Sequence, residues 1–204
     1  MKNLIQTLSR ITSLVFHPLL IPTWGFLLLS NSGFYFALLP WSVKKMLLLV
    51  VFLFTCLLPA VSIGLLLLSP KFELKMEKST DRIIPLLISS IFYYLGYVIL
   101  ERMPLFPIFN LFLIASVLVQ IALILISLKW KISAHSAAIG ALIGGLIAMS
   151  FRLQENPVLI LTFLILVAGM VGTSRLVLLK HTRSEVYAGF TLGFVILNLI
   201  VTFI

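Results

Sequence analysis

The sequence predicts an all-α fold, a polytopic integral membrane bundle of six to seven transmembrane helices, and three observations carry the prediction. Hydrophobic residues make up 61% of the 204 positions and charged residues only 10%, against roughly a quarter charged in a soluble domain. The mean hydropathy is +1.21, an apolar surplus beyond what one core of this size can hide, so much of it must face lipid. The charged residues punctuate the apolar runs at intervals close to the ~20 residues that a helix needs to cross the hydrocarbon layer. A cytosolic enzyme, a disordered tail and a disulfide scaffold are excluded; the single cysteine, Cys56, lies inside an apolar run.

Taken in order, the first expected span covers residues 14–39, with an interruption near 31–33. His17, Pro18 and Pro22 break its apolar run and no small-x-small cleavage signature follows, so it reads as a retained helix and not a signal peptide. The second span, 46–68, is bracketed by Lys44, Lys45 and Lys71. The longest polar stretch, 70–82, comes next. Spans 83–100 and 108–128 pair around the turn Glu101-Arg102-Met103-Pro104, and 134–151, 158–179 and 186–204 complete the set. No stretch outside the membrane is long enough for a separate domain, so residues 1–204 form one transmembrane domain. Its chemistry must sit in loops or at helix ends.

Even numbers of spans separate the stretch 70–82, the segment around His135 and the segment around His181. These three lie on one membrane face. The net charge of +9 comes from 15 lysines and arginines scattered in short loops, which argues against nucleic acid and for a membrane surface or an anionic substrate.

Three constellations on that face can carry chemistry. Lys75 and Arg82, seven residues apart, can converge on one anion, although taken alone they are better explained as membrane-surface charges of a solvated loop. Ser133 and His135 stand at the mouth of a helix whose free N–H groups favour an anion. The following Gly140 and Gly144 form a Gly-x-x-x-Gly spacing that reads as close helix packing, since no lysine with Ser or Thr follows as in a nucleotide loop. Finally, Ser174, Arg175, His181 and Glu185 form the most informative group. His181 and Glu185 are four apart, so on a helix they share a face, and a carboxylate on one ring nitrogen makes the other a better nucleophile. His17, before Pro18, reads as an interfacial histidine bonded to backbone or water.

In this order the three segments resemble the signature of the phosphatidic acid phosphatase type 2 superfamily: Lys-x6-Arg-Pro, Pro-Ser-Gly-His and Ser-Arg-x5-His-x3-Asp. Lys75 and Arg82 keep the first spacing, with proline delayed to Pro85. Ser133 and His135 hold two places of the second, where Ile132 and Ala134 replace proline and glycine. Ser174, Arg175 and His181 reproduce the third, with Glu185 for aspartate, one methylene longer. The resemblance spans Lys75 to Gly189, a catalytic core of about 70–204.

The resemblance implies a metal-independent, cofactor-free membrane phosphatase. Lys75, Arg82 and Arg175 would grip phosphate, with Ser133 and Ser174 as further hydrogen-bond partners. His181 would be the nucleophile, Glu185 its orienting group, and His135 the acid and then the base. The substrate would be a lipid phosphate or a polyprenyl pyrophosphate reached from the bilayer; the sequence says nothing of oligomeric state. A non-catalytic anionic-lipid-binding protein or transporter is the rival reading, resting on the basic bias of one face. Sidedness is argued two ways. Only Lys44, Lys45, Arg102 and Arg152 lie opposite the motif face, which by the positive-inside rule makes that face cytoplasmic. Bacterial relatives implied by the resemblance act on the periplasmic face of the inner membrane, and substrate supply gives that placement the greater weight.

Overall fold

The computed structural model describes residues 2–31, 38–68, 79–103 and 107–204. They fold into helices α1 (Lys2–Val15), α2 (Ile21–Ser30), α3 (Trp41–Phe52), α4 (Leu58–Leu67), α5 (Ile83–Glu101), α6 (Pro107–Ser127), α7 (Ala134–Leu153), α8 (Val158–Val177) and α9 (Arg183–Phe203). Six of the described helical stretches are long and apolar enough to cross a membrane: Trp41–Leu67, Thr80–Glu101, Phe109–Ser127, Ala134–Leu153, Val158–Val177 and Arg183–Phe203. The protein has the helical architecture of an integral membrane protein.

The expected first span is where structure and sequence reading part. In place of one helix over 14–39 the chain forms α1, a break at His17 and Pro18, and the 10-residue α2. Proline disfavours helical backbone in the residue before it, so Pro18 ends α1 near His17. Pro22 falls in the first turn of α2, where its missing N–H costs nothing. At 10 residues, α2 reaches about 15 Å, half of the hydrocarbon layer. Helix α1 is amphipathic: Leu4, Leu8 and Ile11 are exposed while Ser9 and Ser13 are buried.

The span Trp41–Leu67 has a local defect at Leu53–Leu57, where the helix widens to a π turn. Pro59 explains it, having no N–H to return to the carbonyl of Thr55. Beyond the defect, α4 carries Ala60, Ile63, Gly64 and Leu67 along the wall of a cavity.

Helix α7 is the hub, with 67% of its most apolar stretch buried against protein, while no other span exceeds 44%. Its closest partner is α9. The two backbones approach through reciprocal glycines: a Cβ on Gly140 or Gly144 would collide with the carbonyls of Phe190 or Phe194, and one on Gly189 or Gly193 with those of Ser133 or Ala137. The Gly-x-x-x-Gly spacing is therefore helix packing, as small residues allow in membranes. Asn198 adds a hydrogen bond from Nδ2 to the carbonyl of Gly144 at 3.0 Å. By contrast α8 turns Leu159, Ile165, Leu166 and Met170 outward, a lipid-facing stripe. The α7–α9 contact fixes the level at which the two helices begin, and both begin at the site.

Candidate active site

Three connections meet at one end of the bundle. A short 3₁₀ turn, Ser79–Arg82, leads into α5; residues 128–133 join α6 to α7; residues 178–182 join α8 to α9. The structure thus places these connections on one face, as the crossing count predicts. They surround a cavity of about 640 Å³ lined by His17, Arg82, Lys131, His135, Arg175, Lys180 and His181, with apolar walls from Pro18, Leu19 and α4.

The connection from α8 to α9 shows why the spacing of the third motif matters. The N–H of Lys180 bonds back to the carbonyl of Arg175 at 3.1 Å, with Leu179 in the left-handed region at φ 52°; this is the wrapped-back end that closes many helices. It places His181 beside the last turn of α8, which carries Arg175. Thr182 then caps α9, its hydroxyl accepting from the Glu185 N–H while the Glu185 carboxylate accepts from the Thr182 N–H.

The same carboxylate reaches His181. Nδ1 of His181 lies 2.9 Å from Glu185 Oε2 and 3.1 Å from the carbonyl oxygen of Lys131. Both neighbours are acceptors, so Nδ1 carries the proton and Nε2 keeps a free lone pair at the cavity. Burial holds His181 below its usual imidazole range; the hydrogen bond to Glu185 opposes that shift, and Arg82 and Arg175 add to it.

Arg82 is buried and donates from Nη1 to the carbonyl of Ile132. Arg175 donates from Nη1 to Ser13 Oγ at 3.3 Å. Arg82 Nη2 and Arg175 Nε are buried and have no acceptor among the described residues. Buried guanidinium donors without acceptors are rare in finished structures and fit an anion with several oxygens. Burial, and then the charge of Arg82, holds Lys131 below the usual lysine range, a sign of cations gathered around one space.

His135 sits in the first turn of α7 with Nε2 3.1 Å from the carbonyl oxygen of Ser13. Its ring meets that of His17 edge-on, with centroids 5.3 Å apart at 83°. His17 accepts the Leu19 N–H at Nδ1, 3.3 Å away, which leaves its proton on Nε2. The backbone hydrogen bond expected of His17 is there, and so is a place on the cavity wall. Burial, and then Arg175, lowers the pKa of His17.

Ser133 and Ser174 do not line the cavity. Ser133 caps α7, accepting from the N–H of Ser136 at 3.3 Å and from its hydroxyl at 3.0 Å, and is fully buried. The Ser174 hydroxyl donates to the carbonyl of Met170 one turn back at 2.7 Å. Lys75 lies outside the described residues. Sequence reasoning missed Lys131 and Lys180 as cavity residues, though each neighbours a motif, and Ser13, for which no local pattern gave a signal. Among the described residues no three His, Cys, Asp or Glu side chains gather to hold a metal.

Residues 126–204 match the family model described as the PAP2 superfamily. The match contains the second and third motifs and helices α7 to α9 whole, and it supports phosphatase-type chemistry. No curated protein and no solved structure matches the chain.

Proposed function

We propose that this PAP2-like chain is a membrane phosphatase that hydrolyses a lipid phosphate or polyprenyl pyrophosphate through a phosphohistidine at His181. The observation that carries the reading is the meeting, in one cavity, of an imidazole held by a carboxylate and two arginines with buried donors that lack acceptors among the described residues. Arg82 and Arg175, with Lys75 as the third cation of the first motif, bind the phosphoryl oxygens and neutralise charge that builds in the transition state.

Nε2 of His181 attacks phosphorus, the bond from phosphorus to the lipid oxygen breaks, and Glu185 stabilises the positive charge that develops on the ring. A proton brought by the substrate's monoanion passes through Nδ1 of His135 to the departing oxygen, while Nε2–H stays on the carbonyl of Ser13. In the second step His135 takes a proton from water, whose oxygen attacks phosphorus, and the bond to Nε2 breaks to release phosphate and restore His181. The Ser133 cap fixes the start of α7 and thereby His135, while Ser174 braces the last turn of α8 beside Arg175.

The apolar walls of the cavity and the six spans support a substrate with an acyl or prenyl tail, drawn from the bilayer without leaving it. We place the site on the periplasmic side of a bacterial inner membrane. The direct test is phosphate release by purified protein from phosphatidic acid, phosphatidylglycerol phosphate, a polyprenyl pyrophosphate and a lipid A phosphate, in EDTA. Turnover of at least one that is lost in His181→Ala supports the reading. No turnover of any, or turnover that chelation removes and a divalent ion restores, overturns it.

A further inference from the structure

The matched segment begins at residue 126, yet two of its site residues are held from outside it. Helix α1 packs along α8 with Ser9 and Ser13, one turn apart, buried. The carbonyl of Ser13 has no partner within its own helix, because the N–H of Phe16 goes to Thr12 and that of His17 to Leu14. It is one of the carbonyls that every helix end leaves over. Here it meets His135 Nε2 at 3.1 Å, and the Ser13 hydroxyl meets Arg175 Nη1 at 3.3 Å. A single residue therefore touches the proton carrier and one of the phosphate-binding arginines. A carbonyl oxygen only accepts, so the contact sets His135 as the Nε2–H tautomer, with Nδ1 as the other working nitrogen.

We propose that Ser13 is a positioning residue of the active site, and that α1 is a clasp laid across it. The inference rests on the phosphatase reading for its kinetic part only. Through its hydroxyl, Ser13 keeps the Arg175 guanidinium turned toward the cavity with Nε available to phosphate. Through its carbonyl it holds the His135 ring, which His17 supports edge-on. The exposed stripe of Leu4, Leu8 and Ile11 suits a helix lying in the membrane interface, so seating of α1 on α8 and on lipid is linked to the geometry of two site residues.

The test uses full-length protein, wild type and the variants Ser13→Ala, Ser13→Thr and Ser9→Phe. Binding of inorganic phosphate is measured by calorimetry, the His135 tautomer by nitrogen NMR of labelled histidine, and kcat and KM with the best lipid phosphate. At 3.3 Å the bond from Arg175 is long, and loss of one hydrogen bond of ordinary strength predicts phosphate binding weakened about three- to tenfold in Ser13→Ala. KM should rise in parallel and kcat should change less than about twofold, with Ser13→Thr close to wild type. Ser9→Phe, which wedges α1 away from α8, should lose the Nε2–H signature of His135 and lower kcat by about tenfold or more.

Phosphate binding by Ser13→Ala equal to wild type, or as poor in Ser13→Thr as in Ser13→Ala, overturns the role of the hydroxyl. An unchanged tautomer and kcat in Ser9→Phe overturns the clasp. If wild type hydrolyses no lipid phosphate but Ser13→Ala still weakens phosphate binding, the phosphatase reading fails and the positioning role stands.

Discussion

One oxygen of Glu185 serves two donors at once: Oε2 lies 2.9 Å from Nδ1 of His181 and 3.2 Å from the backbone N–H of Thr182. The helix cap and the orienting contact are the same interaction. Forming the first turn of α9 therefore aims the imidazole, and folding and catalysis share one carboxylate.

That dual use separates a charge effect from a structural one. Glutamine also serves at the third position of a capping box, so Glu185→Gln should keep the melting temperature within a few degrees while phosphate release falls by about 10²-fold or more. A rate equal to wild type would remove Glu185 from the mechanism. A large loss of stability would show that the cap, and not the charge, is what the residue supplies.

The acidic limb of kcat/KM should lie below the usual imidazole value of about 6.5. Protonation removes the nucleophile, and burial holds His181 below that range, so the neutral ring survives to lower pH. Since Glu185 opposes the shift, Glu185→Gln should move the limb further down. The substrate's own ionisation is common to both proteins and cancels in the comparison. An upward move in the variant would contradict the assignment of the limb to His181.

Much of this was legible beforehand. The spans from 46 onward follow from hydropathy alone, because lipid imposes one length and one polarity on every crossing. His181 and Glu185 follow from a four-residue spacing whose geometry is local. Ser13 and His17 were not legible as site residues: their contacts with His135 and Arg175 bridge more than a hundred positions and depend on where α1 comes to rest. The expected single span over 14–39 differs from α1 and α2 for a similar reason, since hydropathy averages across a break that Pro18 imposes.

Packing of α7 on α9 predicts opposite outcomes for two glycines. Gly193→Ala drives a methyl group into the backbone of Ala137, whereas no atom of the described residues lies within 4 Å of a Cβ at Gly169. The first should lose about 1–3 kcal/mol; the second should be neutral or gain up to about 1 kcal/mol from helix propensity. Thermal unfolding in one detergent decides, and equal melting temperatures for the two would refute the close contact.

Sidedness can be read with an impermeant thiol reagent on intact cells, after Cys56→Ala. Ser184→Cys, exposed at the start of α9, should be labelled, and Gln154→Cys, exposed at the far end of α7, should not. The reverse pattern would put the site in the cytoplasm, in agreement with the charge bias. Labelling of both would break the crossing count.

A phosphohistidine at His181 is the covalent intermediate of the proposed reaction, and trapping it is the most direct measurement. Wild-type protein is mixed with a lipid phosphate carrying labelled phosphorus, quenched in alkali within one turnover, digested and sequenced by mass spectrometry. An acid-labile label is expected on the peptide containing His181 and is absent from His181→Ala. Rapid phosphate release with no label on the protein, or a label on another residue, would contradict it.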